Sequence, residues 1–352
     1  MTSQKVEKVI LTRLECNIMR GFAIIAIVSN NFSTWLSGVI GDNEFGFDYS
    51  QVEAFLSSLR NPTGDFLMDL LAFYSPFGVM LFIFLSGYGL TLKYEGEHNQ
   101  TAKQFIADHY QKLFLMQLKG VALFLAVILV FNPDRIVYFK YLIGQLLMVE
   151  NLNPTPKIIP GPYWFFGMIM EVYIIFRLVL YRRPTWLLIS AIFLSILTMA
   201  FVEPNGSLMY YLRYNFFMAI LPFGTGMLVA RYSNKIYSIT DSSSKCTMAL
   251  LLFFILLTAC KFNFYSWLFM PLFIIGVSIP LAKLLNKIHL TSEIFCWLGG
   301  ISGVMFLVHP ILREVLIERT NTCESYYGMF LVYVFLTISL SMILKPVFIK
   351  KG

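Results

Sequence analysis

Apolar residues do not alternate along this chain; they come in continuous runs. About twenty apolar residues of helix cross a hydrocarbon layer roughly 30 Å thick, and runs of that kind recur through the whole sequence. They predict ten membrane-crossing helices, over residues 18–38, 73–92, 113–131, 163–181, 185–202, 209–231, 246–262, 266–285, 296–316 and 327–348. Continuous runs exclude a transmembrane barrel, whose strands alternate apolar and polar positions. The expected fold class is therefore all-α: a polytopic transmembrane bundle of about ten helices, one domain over 1–352 with a short tail at 1–17.

The connections between ten spans alternate sides. With the N-terminus inside, the inner segments hold seventeen of the twenty-seven Lys and Arg residues and the outer connections seven, which predicts that both termini are cytoplasmic. The first outer connection, 41–65, carries Asp42, Glu44, Asp48 and Glu53 against Arg60 alone. Arg313 counts as an outer-connection residue, and Arg213, near the outer boundary, is expected to meet water or Glu203. The inner connection 93–112 mixes Lys93, Lys103, His109 and Lys112 with Glu95, Glu97 and Asp108, and is expected to be a large cytoplasmic surface. Residues 136–149 read as an interfacial or re-entrant helix, before breaks at Asn153-Pro-Thr-Pro and Pro160-Gly-Pro.

Composition excludes a water-soluble domain: 57% of residues are hydrophobic, 13% charged, and the mean hydropathy is +0.69. The net charge of +7 is dispersed among membrane segments, so topology explains it and nucleic acid is not an expected partner. Five cysteines form no close pair, which indicates neither a disulfide framework nor a metal site. The first apolar run lacks a small-residue cleavage site and reads as a retained helix.

Polar groups inside the spans are few. Eleven helical steps lead from Arg20 to Asn31, about 16 Å and roughly 20° past three full turns, so the two share one face. Such a stripe marks a site, or else a snorkelling arginine with asparagines that bond neighbouring helices. Glu171, about two turns into the fourth span, is either a general base or the counter-ion of Arg20 or Arg213. His309, just before Pro310, is either a structural imidazole or a catalyst. Ser86, Gly87 and Gly89 permit close helix approach in the second span. His109 and Lys112 share a helical face that suits phosphates or lipid headgroups.

Four separated stretches resemble the integral-membrane acyltransferase 3 family. Asn17-Ile-Met-Arg-Gly is similar to the family's Asp-Gly-Leu-Arg-Gly, and Gly78-Val-Met-Leu-Phe-Ile-Phe-Leu-Ser-Gly-Tyr to its Gly-Val-Asp-Leu-Phe-Phe-Val-Leu-Ser-Gly-Phe. Trp164-Phe-Phe with Glu171 and Tyr173, and Ile301-Ser-Gly-Val-Met-Phe-Leu-Val-His-Pro, resemble its Trp-Phe-Leu and late His-Pro motifs. The resemblance implies acyl transfer, most often acetyl, from acyl-CoA to a hydroxyl of a lipid-linked or exported glycan. The expected setting is a multi-pass protein of the bacterial inner membrane, in contact with the lipid bilayer and with no tightly bound cofactor.

Carried over by position, the resemblance implies catalytic roles for Arg20, Asn31, Glu171 and His309. It implies contacts with the CoA side for His109, Lys112 and Arg20, and substrate contacts for Asn30, Trp164, Ser86 and Ser302. Three positions depart from the family pattern: Asn31 stands where a histidine is usual, His109 and Lys112 where two arginines are, and Asn17 where an acid is. An amide accepts no proton at neutral pH, so proton transfer would fall to His309 or Glu171. The alternative is a catalytically impaired member that binds or carries a glycan or lipid.

Overall fold

The computed structural model describes residues 9–36, 46–74, 77–96, 100–131, 141–153, 157–322 and 326–348, and every element among them is helical. In chain order these are α1 (Arg13–Ser33), α2 (Tyr49–Arg60), α3 (Phe66–Tyr74), α4 (Gly78–Tyr94), α5 (Ala102–Phe131), α6 (Leu142–Leu146), α7 (Trp164–Ile175) and α8 (Thr185–Ala200). There follow α9 (Ser207–Arg213), α10 (Phe216–Arg231), α11 (Ser233–Ile236), α12 (Ser243–Cys260), α13 (Phe264–Trp267), α14 (Met270–Asn286), α15 (His289–Asn321) and α16 (Tyr326–Phe348). Among the described residues, seven helical stretches are long and apolar enough to cross a membrane, and α8 and α14 are shorter apolar helices. With α1, each of the ten predicted spans overlaps a helix.

Boundaries differ for local reasons. The first helix begins at Arg13, five residues ahead of the predicted span, because Thr12 and Glu15 form a capping box: Thr12 Oγ1 accepts from Glu15 N at 3.2 Å, and Glu15 Oε2 accepts from Thr12 N at 2.8 Å. Residues 13–17 are thus helix, not tail, and Ile10 and Leu11 before them are buried. Ile10 N donates to Ser233 Oγ at 2.7 Å, and the Tyr88 hydroxyl donates to the Leu11 carbonyl at 3.0 Å. Residues 1–8 of the expected tail, Asp42 and Glu44, Glu97 and Cys323 lie outside the described residues.

The connection expected at 93–112 is mostly α5, which starts at Ala102. Glu95 is held between helices rather than on a free surface, by Arg231 Nε at 2.8 Å and Nη2 at 2.5 Å and by Arg182 N at 3.1 Å. The re-entrant helix expected at 136–149 is the five-residue α6, followed by a tight turn at Glu150–Leu152; residues 136–140 and 154–156 lie outside the described residues. The Gln145 side chain fixes this connection by pairing with both backbone groups of Ile159, at 2.8 and 2.9 Å.

The core is a contact between the first membrane helix and the ninth. α1 packs most extensively on α15, and α4 on α10. A methyl group on Gly21 would stand 2.0 Å from the Phe295 carbonyl oxygen, and one on Gly299 2.1 Å from that of Asn17. Only glycine lets these backbones touch. Gly87 meets Phe223 in the same way between α4 and α10, whereas Gly89 faces open space and contributes no such contact. By contrast α12 and α16 are only 22% and 17% buried, so their apolar surfaces face lipid.

Candidate functional site

The tight crossing of α1 and α15 brings Asn31 against Arg313. Asn31 Nδ2 donates to the Ile27 carbonyl at 3.1 Å, the bond of an amide folded back on its own helix, and this turns Oδ1 outward. Arg313 Nη1 donates to that oxygen at 3.0 Å. Arg313 is 4% exposed, and its guanidinium lies 4.3 Å from the Trp35 ring centroid with Glu314 at 3.6 Å. It is a buried residue of α15, which corrects its placement in an outer connection. The polarity of an arginine, read one residue at a time, favours a loop; the α1 amide and the Trp35 ring supply what burial requires.

One turn earlier on the same face of α15 is His309, fully buried. Its Nδ1 lies 3.0 Å from the Met305 carbonyl, an acceptor only, so Nδ1 carries the proton and Nε2 the lone pair. Nε2 has no hydrogen-bond partner among the described residues. The His309 carbonyl accepts from the Tyr333 hydroxyl at 3.0 Å, and Tyr333 stacks on Phe32 of α1 at 5.2 Å, which fixes this turn of α15 against both neighbours. Arg313 lies within electrostatic reach of the imidazole.

Arg20 heads a second cluster at the opposite end of α1. Its Nη1 donates to Asn17 Oδ1 at 2.9 Å, so the amide at position 17 accepts the bond an acid there would accept. The Tyr173 hydroxyl of α7 lies within reach of the Arg20 charge and 3.5 Å from Ser86 Oγ of α4. The His109 ring, with Nδ1 2.7 Å from the Phe105 carbonyl, packs against Tyr173 at 5.1 Å and Phe105 at 4.1 Å. Lys112 is exposed one turn on. The structure thus gathers Arg20, Ser86 and His109 around Tyr173. Arg177, two residues into a π-helical turn at Phe176–Leu180, donates to the Gln100 carbonyl and lies 3.9 Å from the Tyr181 ring, tying α7 to the start of α5.

Glu171 belongs to neither cluster. Its Oε2 accepts from the Phe216 backbone N–H at 3.0 Å, capping α10, whose own N-cap residue Asn215 makes no side-chain cap bond. Among the described residues it pairs with neither Arg20 nor Arg213, which corrects the expected counter-ion; the partner is a helix N-terminus. Arg213 lies 4.6 and 5.4 Å from the Tyr210 and Tyr214 rings rather than meeting Glu203. Asn151, which the residue pattern did not single out, ties this region together: its Nδ2 donates to the carbonyls of Trp164 and Tyr214 at 2.8 and 2.7 Å.

Of the remaining positions, Trp164 is buried with its ring 5.2 Å from that of Tyr214. Ser302 bonds the Gly299 carbonyl of its own helix at 2.8 Å, and Asn30 is buried beside Asn31. No group of three or more His, Cys, Asp or Glu side chains suited to a metal occurs among the described residues.

A helical bundle with polar side chains bonded across buried apolar spans is the architecture of a multi-pass membrane protein. Its sequence matches the acyltransferase domain family over residues 13–345, and the chain belongs to that family, the acyltransferase 3 family its motifs resemble. No curated protein and no solved structure matches it.

Proposed function

We propose that this protein is a membrane O-acyltransferase that moves an acyl group, most often acetyl, from acyl-CoA to a hydroxyl of a lipid-linked or exported glycan. The setting is the bacterial inner membrane, with both termini cytoplasmic. The observation that supports this reading most directly is His309: a buried imidazole with Nδ1 fixed by a carbonyl and Nε2 without a hydrogen-bond partner among the described residues, one turn from the Asn31–Arg313 pair. That is the tautomer a general base needs, and it supplies the proton acceptor that the amide at position 31 does not. The cluster of Arg20, Ser86, Tyr173 and His109, at the end of α1 that the basic bias assigns to the cytoplasm, suits the phosphate-bearing end of CoA, with the thioester reaching toward His309. Trp35, 51% exposed at the other end, suits an acceptor on the outer side.

Protein reconstituted into liposomes and supplied with acetyl-CoA and a lipid-linked glycan tests the reading. Acetyl-ester formation or acetyl-CoA hydrolysis is the expected result. Intact donor binding with no turnover overturns it in favour of a glycan-binding or carrier role.

A further inference from the structure

We infer that Arg313 is the group that receives the negative charge developing on the thioester carbonyl oxygen, and that Asn31 is the positioning residue that sets its guanidinium. This rests on the acyl-transfer reading. A guanidinium in an apolar span is costly unless it is paired and used, and Arg313 is only 4% exposed within α15. It is held from two directions. The Asn31 amide is fixed by its own bond to Ile27, so its oxygen aims a single Nη1 at 3.0 Å, and Trp35 lies against the guanidinium at 4.3 Å. A charge oriented before reaction and kept from bulk water stabilises an oxyanion far better than a mobile one. Glu314, at 3.6 Å from Nη2, offsets the charge in the resting state at ion-pair rather than hydrogen-bond distance.

The spacing of the two groups on α15 fits the step. Residues four apart on a helix share a face, with Cβ atoms about 6 Å from each other, so a proton acceptor and a cation stand on the same side of α15. The acceptor hydroxyl oxygen forms a bond to the thioester carbonyl carbon while its proton passes to His309 Nε2, and the carbonyl electron pair moves onto the oxygen facing Arg313. Collapse of that intermediate breaks the carbon–sulfur bond. The leaving thiolate takes the proton back from Nε2, giving an acetyl ester and free CoA thiol.

The test is steady-state kinetics in liposomes with acetyl-CoA, on the wild type and on R313Q, R313K, R313A and N31A, each checked for folding by thermal unfolding in detergent. R313Q is expected to lower kcat by about 10²–10³-fold, as loss of one oxyanion donor does, while KM for acetyl-CoA stays within about threefold. R313K retains more turnover than R313Q, and added guanidinium ion restores part of the kcat of R313A, which a merely structural arginine would not allow. N31A lowers kcat with Arg313 still present. Unchanged kcat in R313Q, a change confined to KM, or no guanidinium rescue of folded R313A overturns the inference while leaving acyl transfer standing. If R313A does not fold, equal kcat in R313K and R313Q overturns it instead. A wild type that never consumes acetyl-CoA removes the acyl-transfer reading and this inference together.

Discussion

The Arg313 guanidinium donates to the Asn31 amide oxygen at 3.0 Å across 282 residues of chain. The bond joins the first membrane helix to the ninth, and it converts a neutral side chain into the holder of a buried cation. Asn31→Ala removes the acceptor and leaves a desolvated N–H, so stability is expected to fall by about 1–3 kcal/mol, read as a lower unfolding midpoint in detergent. Asn31→His returns an imidazole that accepts from Arg313 through one nitrogen, and a rise in acetyl-CoA turnover is expected. No change in either measurement would show that this bond neither supports the fold nor shapes the site.

His309 is expected to carry the proton transfer. His309→Gln keeps a polar side chain of similar reach but no titratable nitrogen, and is expected to reduce kcat by about 10²–10⁴-fold. Acetyl-CoA binding, measured by calorimetry, is expected to stay near wild type. Full turnover in His309→Gln would return the proton-accepting role to another group.

Glu171 acts on α10 through one oxygen bonded to Phe216 N–H. Glu171→Gln keeps that acceptor, whereas Glu171→Ala leaves the helix start uncapped. The alanine variant is expected to lose about 0.5–2 kcal/mol and the glutamine variant less than half of that. Equal losses would mean that the charge, not the bond, is what α10 requires.

Gly21→Leu tests the crossing itself. Its Cβ would begin 2.0 Å from the Phe295 carbonyl, a backbone atom that no rotamer change can move. A loss of about 1–3 kcal/mol or more is expected, with activity falling because the α1–α15 register sets the Asn31–Arg313 distance. Gly89→Leu, with open space around it, is the control and is expected to unfold like wild type.

The helical bundle was legible because hydropathy reports the energy of crossing lipid directly, and each of the ten apolar runs overlaps a helix. What lies outside the hydrocarbon layer was not. The α5 turns from Ala102 to Lys112 are polar on a helix that extends beyond the apolar window, so the same stretch reads as a loop. The start of α1 was legible after all, in Thr12-Arg-Leu-Glu15, a capping signature that an apolar count passes over.

The site was legible in part. His309 and Arg313 are four apart within one predicted span, a signal that they share a face, but counting Arg313 among outer charges hid it. The partner of Glu171 had no signal: it is a backbone N–H, which every residue except proline carries. Asn151 was equally hidden, since its partners are the carbonyls of Trp164 and Tyr214, brought near only by the packing of α7 against the α9–α10 break.

The close approach of α1 to α15 also sets a timetable. A ribosome adding roughly 5–20 residues per second needs on the order of 14–56 s to cover the 282 residues from Asn31 to Arg313. Through that interval α1 is made and its final neighbour is not, so its Arg20 and Asn31 must be sheltered by interim partners, such as the insertion machinery or the helices that emerge first. A ribosome stalled before residue 313 leaves most of the spans made and the Asn31–Arg313 pair unformed. Activity should therefore appear late and all at once during synthesis, rather than growing with the number of helices inserted.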